Sequence, residues 1–125
     1  MDKLKELQKG QERREVTIDA KDQSIGRVAS KVAVLLQGKA TTDYYPHKLG
    51  NTIVTVLNIR DVKVTGKKLT DKVYHRWTGY IGNVKSETLQ TKMNRDIVKA
   101  FKDIVRGMLP KNTLRDKRLK NLIVK

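Results

Sequence analysis

Residues 52–59 read Thr52-Ile53-Val54-Thr55-Val56-Leu57-Asn58-Ile59, an apolar, β-branched run with almost no polar interruption. β-branched side chains are stiff at χ1 and suit a pleated surface better than a helix. An unbroken run of this kind predicts a strand covered on both faces, as in a parallel sheet. Upstream, Val16, Ile18 and Ala20 alternate with Thr17 and Asp19, the period of another strand. Between the two, Ile25, Val28, Ala29, Val32, Ala33 and Leu36 recur at helical spacing and make one apolar stripe. Asp22 or Ser24 can cap that helix and Gly38 supplies its stop. Residues 39–51 read as a loop.

Downstream, Val62 and Val64 predict a short strand ended by Gly66, followed by an exposed loop through VTGKKLTDK. Val73 to Trp77 suits a strand or an extended loop, and TGYIG at 78–82 a turn. A weak helix is expected from Ser86 to about Met93. A clearer one is expected after a cap at Asn94, with Ile97, Val98, Phe101, Ile104, Val105 and Met108 on one face and Gly107 and Pro110 at its end. Val105 and Met108 should point inward. A short helix around Leu114, Lys117 and Arg118 and a last strand at Leu122 to Val124 complete the order. Strands alternating with helices predict α/β layering around a mostly parallel sheet. The chain divides into a polar lead-in at 1–15, frayed or mobile, and a single domain over 16–125 with a basic C-terminal segment.

The chain has 125 residues, with 28 Lys and Arg against 13 Asp and Glu, for a formal charge of +15. The excess is +1 over residues 1–15, +6 over 16–82 and +8 over 83–125, so it belongs to the folded body rather than to a detachable tail. A small domain so charged repels itself unless an anion neutralises it, and a polyanion is the expected partner. The absence of cysteine excludes a disulfide framework, a thiol nucleophile and a cysteine-based zinc site. Apolar runs of about five residues are far short of the roughly 20 needed to span a bilayer, and the first 15 residues carry no secretory signal. No membrane partner is expected.

Catalytic patterns are missing. His47 and His75 have too few neighbours of ligand type to hold a metal. Gly38-Lys39 and Gly66-Lys67 are followed by Ala40 and Lys68, not by the Ser or Thr of a phosphate loop. Gly79 and Gly82 lack the third glycine of a dinucleotide fingerprint. The acids stand singly. A nucleotide-using α/β enzyme is therefore the weaker alternative, with neither cofactor nor small-molecule substrate expected. A DNA-binding regulator would need a helix-turn-helix, which the pattern does not offer.

Two segments carry chemistry. From Lys63 to Lys85, KVTGKKLTDKVYHRWTGYIGNVK interleaves Lys63, Lys67, Lys68, Lys72, His75, Arg76 and Lys85 with Tyr74, Trp77 and Tyr80. Cations neutralise phosphates and release counterions, and aromatic faces stack on unpaired bases; alternatively Tyr74 and Trp77 are core residues among solvated lysines. The second patch holds Arg106, Lys111, Arg115, Lys117, Arg118 and Lys120, opposed only by Asp116. On the first helix, Arg27 and Lys31 lie off the apolar stripe, and Lys39 follows it. At Arg106 to Lys111 the chain should leave its helix, with Gly107 permitting a tight stop or a close backbone approach, and present Arg106, Lys111, Arg115, Lys117 and Arg118 outward.

At these segments the chain resembles ribosomal protein thirteen of the large subunit, bacterial type. The matching elements are Asp19-Ala20, Ile25 to Ser30, Leu36 with Gly38-Lys39, Tyr45-Pro46, Val54 to Asn58, Val64 to Lys67, Lys72-Val73-Tyr74, Thr78 to Gly82 and Val105 to Asn112. Their order and spacing fit from about residue 16 onward, with Arg-Gly-Met-Leu-Pro-Lys after an apolar helix the most specific. The resemblance implies a three-layer α/β/α domain with a four-stranded parallel sheet. It implies binding to large-subunit rRNA, neighbouring large-subunit proteins as further partners, a part in early subunit assembly, and a cytoplasmic location within the large subunit. The chain departs from the family pattern in three places. Arg14-Glu15-Val16 replaces an aromatic pair, Arg95-Asp96-Ile97 lacks the usual proline, and the sequence ends at Lys125 where many relatives continue into a tail, so that tail's contacts are not carried over. The expected rRNA-binding residues are Arg27, Lys31, Lys39, Lys67, Lys68, Lys72, Tyr74, His75, Arg76, Trp77, Lys85, Arg106, Lys111, Arg115, Lys117 and Arg118.

Overall fold

The computed structural model describes residues 14–40, 42, 44–50 and 52–125. The order is β1 (Arg14–Asp19), α1 (Ile25–Gln37), β2 (Thr52–Leu57), a single 3-10 turn (Ile59–Asp61), α2 (Lys68–Asp71), β3 (Val73–Trp77), β4 (Val84–Thr88), α3 (Leu89–Arg95), α4 (Ile97–Met108), α5 (Leu114–Leu119) and β5 (Leu122–Val124). Residues 1–13 of the expected lead-in lie outside the described residues, while Arg14 and Glu15 belong to β1.

The fold is mixed α/β. Among the described residues its parallel sheet has three strands in the order β1–β2–β5, and β3 and β4 pair separately as an antiparallel hairpin. The register sets Val16 and Ile18 beside Val54 and Val56, and these beside Leu122 and Val124. Val54, Val56 and Leu122 are buried together with Val28, Val32 and Leu36 of α1 and Phe101 and Val105 of α4. Fully burying each such side chain is worth about 1.5–3 kcal/mol, which ties both helices to one face of the sheet. On the opposite face Ile53, Thr55 and Leu57 stay partly exposed, and Thr17 and Ile123 are exposed. The expectation of a β2 covered on both faces is thus corrected: alternate residues of the apolar run meet solvent.

Val62 and Val64 do not form the expected strand. Asn58, at φ 57°, turns the chain into the 3-10 turn, and the segment then makes one parallel bridge, Lys63 to Ser24. There the Ile25 N–H donates to the Lys63 carbonyl at 3.0 Å, which satisfies an orphan donor at the start of α1. Asp19 braces the same corner: its carboxylate accepts from the Lys21 backbone N–H at 2.9 Å and from the Asn58 amide at 3.1 Å.

Local stops follow the chain's chemistry. Gly38 ends α1 in the left-handed region, as expected. Gly50 brings the returning loop against that helix end so closely that a Cβ there would lie 2.9 Å from the Leu36 carbonyl oxygen. Ser86 to Thr88 are strand rather than helix, held by rungs to Val73, Tyr74 and His75. The cap of α4 is Asp96, not Asn94: its carboxylate accepts from the Val98 and Lys99 N–H groups at 3.1 and 3.2 Å. Met108 is exposed rather than core, whereas Val105 is buried. Gly107 lies within α4, and a Cβ there would touch nothing, so neither a tight stop nor a close backbone approach requires it.

Candidate nucleic-acid interface

The β3–β4 hairpin stands against α3 and α4, and between them runs a groove of about 720 Å³. Within the hairpin, side chains alternate between two faces. Tyr74, Arg76, Lys85 and Glu87 point to the helix side, where the Lys92 ammonium sits 4.3 Å from the Tyr74 ring centroid and Glu87 reaches Arg95. The groove is also lined by Lys92 and Arg95 of α3, Lys99, Asp103, Arg106 and Gly107 of α4, Arg115 of α5, and His75 and Ser86 of the hairpin. Seven lysines and arginines therefore meet two carboxylates.

Both carboxylates are already occupied. Asp103 holds Lys92 at 2.9 Å, and Glu87 holds Arg95 at 3.0 Å. Arg106 has a distant partner in Asp116 at 4.0 Å. Among the described residues Arg76, Lys85, Lys99 and Arg115 face no carboxylate within ion-pair reach. Arg76 and Lys85 are direct partners on one antiparallel rung, and like charges placed so oppose pairing. An anion between them converts that repulsion into two attractions. The Tyr74 hydroxyl is buried without a partner among the described residues.

The groove thus joins the two patches that are separate in sequence: Tyr74, His75, Arg76 and Lys85 from one, Arg106 and Arg115 from the other. Lys67, Lys68 and Lys72 lie exposed beside it, at the short α2 turn that precedes β3, with the Lys72 ammonium 5.5 Å from the Tyr74 ring. Arg27, Lys31 and Lys39 are exposed along and after α1, and Lys111 and Lys117 are exposed near α5; none of these lines the groove. Trp77 is 67% exposed at the hairpin tip, which settles the choice between core and surface. Arg118 is corrected: it is 1% exposed, and its guanidinium donates to the Lys48 carbonyl at 3.2 Å, pinning the 44–50 loop instead of facing outward. Leu119 and Leu122 pack into the core beside it and draw this side of α5 into the interior. Sequence reading missed Lys92, Arg95 and Lys99. Lys92 and Arg95 are three residues apart on α3, a helical spacing that sequence could have shown, whereas Lys99 joins them from α4 across the break at Asp96.

The site is a cationic groove on a mixed α/β body, whose chemistry is suited to a polyanion. The chain belongs to the ribosomal protein L13 family, whose sequence pattern matches residues 13–124. It is 45% identical over 97 residues to the large ribosomal subunit protein uL13 of Xylella fastidiosa (strain M12), covering 78% of this chain and 68% of that protein. The uL13 of Nautilia profundicola is 46% identical over 110 residues, covering 87% and 78%. That of Alkalilimnicola ehrlichii is 40% identical over 107 residues, covering 86% and 75%.

Proposed function

We propose that this chain is a non-enzymatic structural constituent of the large ribosomal subunit, set among neighbouring subunit proteins, which clamps rRNA and supports early assembly. The observation that carries the reading is the groove in which Arg76, Lys85, Lys99 and Arg115 converge without carboxylate partners among the described residues. Family membership names the particle, and the groove supplies the chemistry. Phosphates entering it replace repulsion between neighbouring cations with attraction and release counterions. Because phosphate contacts carry no sequence information directly, the clamp reads the shape of the RNA more than its bases. Lys67, Lys68 and Lys72 extend the surface along the foot of the hairpin, while Arg27, Lys31, Lys39, Lys111 and Lys117 offer secondary contacts elsewhere.

The finer architecture belongs to the same proposal. A fourth parallel strand is supported by the lone Ser24–Lys63 bridge. RNA crosslinking with mass spectrometry on intact large subunits tests the functional reading. Crosslinks should concentrate on Tyr74 to Lys85 and Lys99 to Arg115; a groove free of crosslinks in occupied subunits refutes it.

A further inference from the structure

We propose that the outer face of the β3–β4 hairpin is a stacking platform for unpaired RNA bases, with Trp77 and His75 as its two rings. The inference rests on the groove's binding RNA and adds which form of RNA the hairpin selects. Alternation places Val73, His75, Trp77, Val84, Ser86 and Thr88 on the face opposite the Tyr74 and Glu87 side chains, with His75 and Ser86 also bordering the groove and Trp77 standing clear of it. That face carries no lysine, arginine or carboxylate, yet the opposite side of the adjacent rung carries Arg76 and Lys85. A duplex laid across it would bring phosphates to a surface without cations. A single strand can turn its bases onto this face while its backbone passes to the cations on the other side.

The two rings are held in place. The Trp77 indole N–H donates to the Tyr80 carbonyl at 3.0 Å, which ties the ring to the turn. The turn itself is closed by the Thr78 N–H to the Asn83 carbonyl at 3.1 Å, with Gly79 and Gly82 at φ 95° and 76°. The His75 Nδ1 lies 2.7 Å from the Ser86 hydroxyl on the facing strand. Two residues apart on one strand, His75 and Trp77 have Cα atoms about 6.5 Å from each other along the strand, so bases splayed from successive nucleotides can each meet one ring. An exposed aromatic pair fixed on a sheet face is a stacking surface for single-stranded RNA.

Trp77 is the chain's single tryptophan, so its emission reports on this face alone. The full chain is titrated with a single-stranded RNA of about 12 nucleotides and with the same strand annealed to its complement, while RNA anisotropy follows binding. Saturation with the single strand should quench Trp77, and saturation with the duplex should leave it unchanged. Trp77→Ala should weaken single-strand binding roughly 5- to 100-fold, leave the salt dependence intact and leave duplex binding as it was; Trp77→Phe should recover most of the loss. Arg76→Ala with Lys85→Ala should instead flatten the salt dependence for both RNAs. Unchanged Trp77 emission at single-strand saturation, or a Trp77→Ala affinity equal to the parent's, overturns the platform and leaves the groove standing. Quenching only by an apolar protein partner also overturns it. If neither RNA binds, the groove reading falls as well. Should Trp77→Ala fail to fold, quenching of the parent and the Trp77→Phe affinity still decide.

Discussion

Replacing Arg76, Lys85, Lys99 and Arg115 together by glutamine removes four groove cations that have no carboxylate partner among the described residues. Each cation that neutralises a phosphate of single-stranded RNA contributes about 0.7 to the slope of log affinity against log salt. Four of them contribute about 3. Across a fourfold rise in salt, from about 50 to 200 mM, the parent should therefore lose about 50-fold more affinity than the variant. Fluorescence anisotropy on a large-subunit rRNA fragment at several salt concentrations measures both slopes. A converse variant sharpens the test. Glu87→Gln frees Arg95, now held at 3.0 Å, and should tighten binding and steepen the slope by about 0.7. A quadruple variant whose slope stays within about half a unit of the parent's would refute the phosphate clamp, whatever its effect on affinity at one salt concentration.

Three further predictions concern separate parts of the fold. Gly107→Ala adds a Cβ that meets nothing at an exposed helical position, so it should stabilise the protein by about 0.5–1 kcal/mol; because Gly107 lines the groove, RNA affinity measured on the same preparation should fall or hold, and a gain would show that the RNA runs elsewhere. Gly50→Ala sets a Cβ 2.9 Å from the Leu36 carbonyl and should cost about 1–3 kcal/mol in urea denaturation, with a neutral result showing that the loop shifts freely. The Lys21 N–H and the Asn58 amide hold the Asp19 carboxyl below the usual carboxylate value. With the folded value below the unfolded value of about 3.9, its stabilising effect is complete above that pH and fades as pH falls through the lowered folded value. Asp19→Ala should therefore lose more stability at pH 7 than at pH 3, and equal losses would contradict the linkage.

What could be read from the chain was local. The stripe from Ile25 to Leu36 and the stop at Gly38 depend on neighbours within a few turns, and both stand in the structure as expected. TIVTVLNI announced a strand correctly, but its composition could not reveal that Val54 and Val56 are buried while Ile53, Thr55 and Leu57 stay partly exposed, because burial of the second face is decided by distant chain. Ser86-Glu87-Thr88 carries no apolar alternation and pairs as a strand only because β3 lies beside it. Asn94 and Asp96 are both good caps; the choice falls to Asp96 because its carboxylate reaches two free N–H groups. Among the site residues, each basic patch was legible on its own. Their union was not, since the hairpin's approach to α3 and α4 is tertiary. Arg118 misled for the same reason: helical spacing groups it with Arg115, yet the interior claims one and the groove the other.

The Arg76–Lys85 rung makes ionic strength act in opposite senses on two equilibria. Within the free protein, added salt screens the repulsion across the rung and should slow amide hydrogen exchange in the hairpin. If Arg76 and Lys85 hold RNA as proposed, the same ions should compete with it for the same two groups and weaken the complex. Conditions that best order the empty hairpin should thus be the ones in which it holds RNA least well, and a low-salt preparation should present a loosened arm that tightens as the strand arrives. Part of the binding free energy is then spent on ordering protein, and the heat of association should grow more negative as salt is lowered, beyond what counterion release alone accounts for.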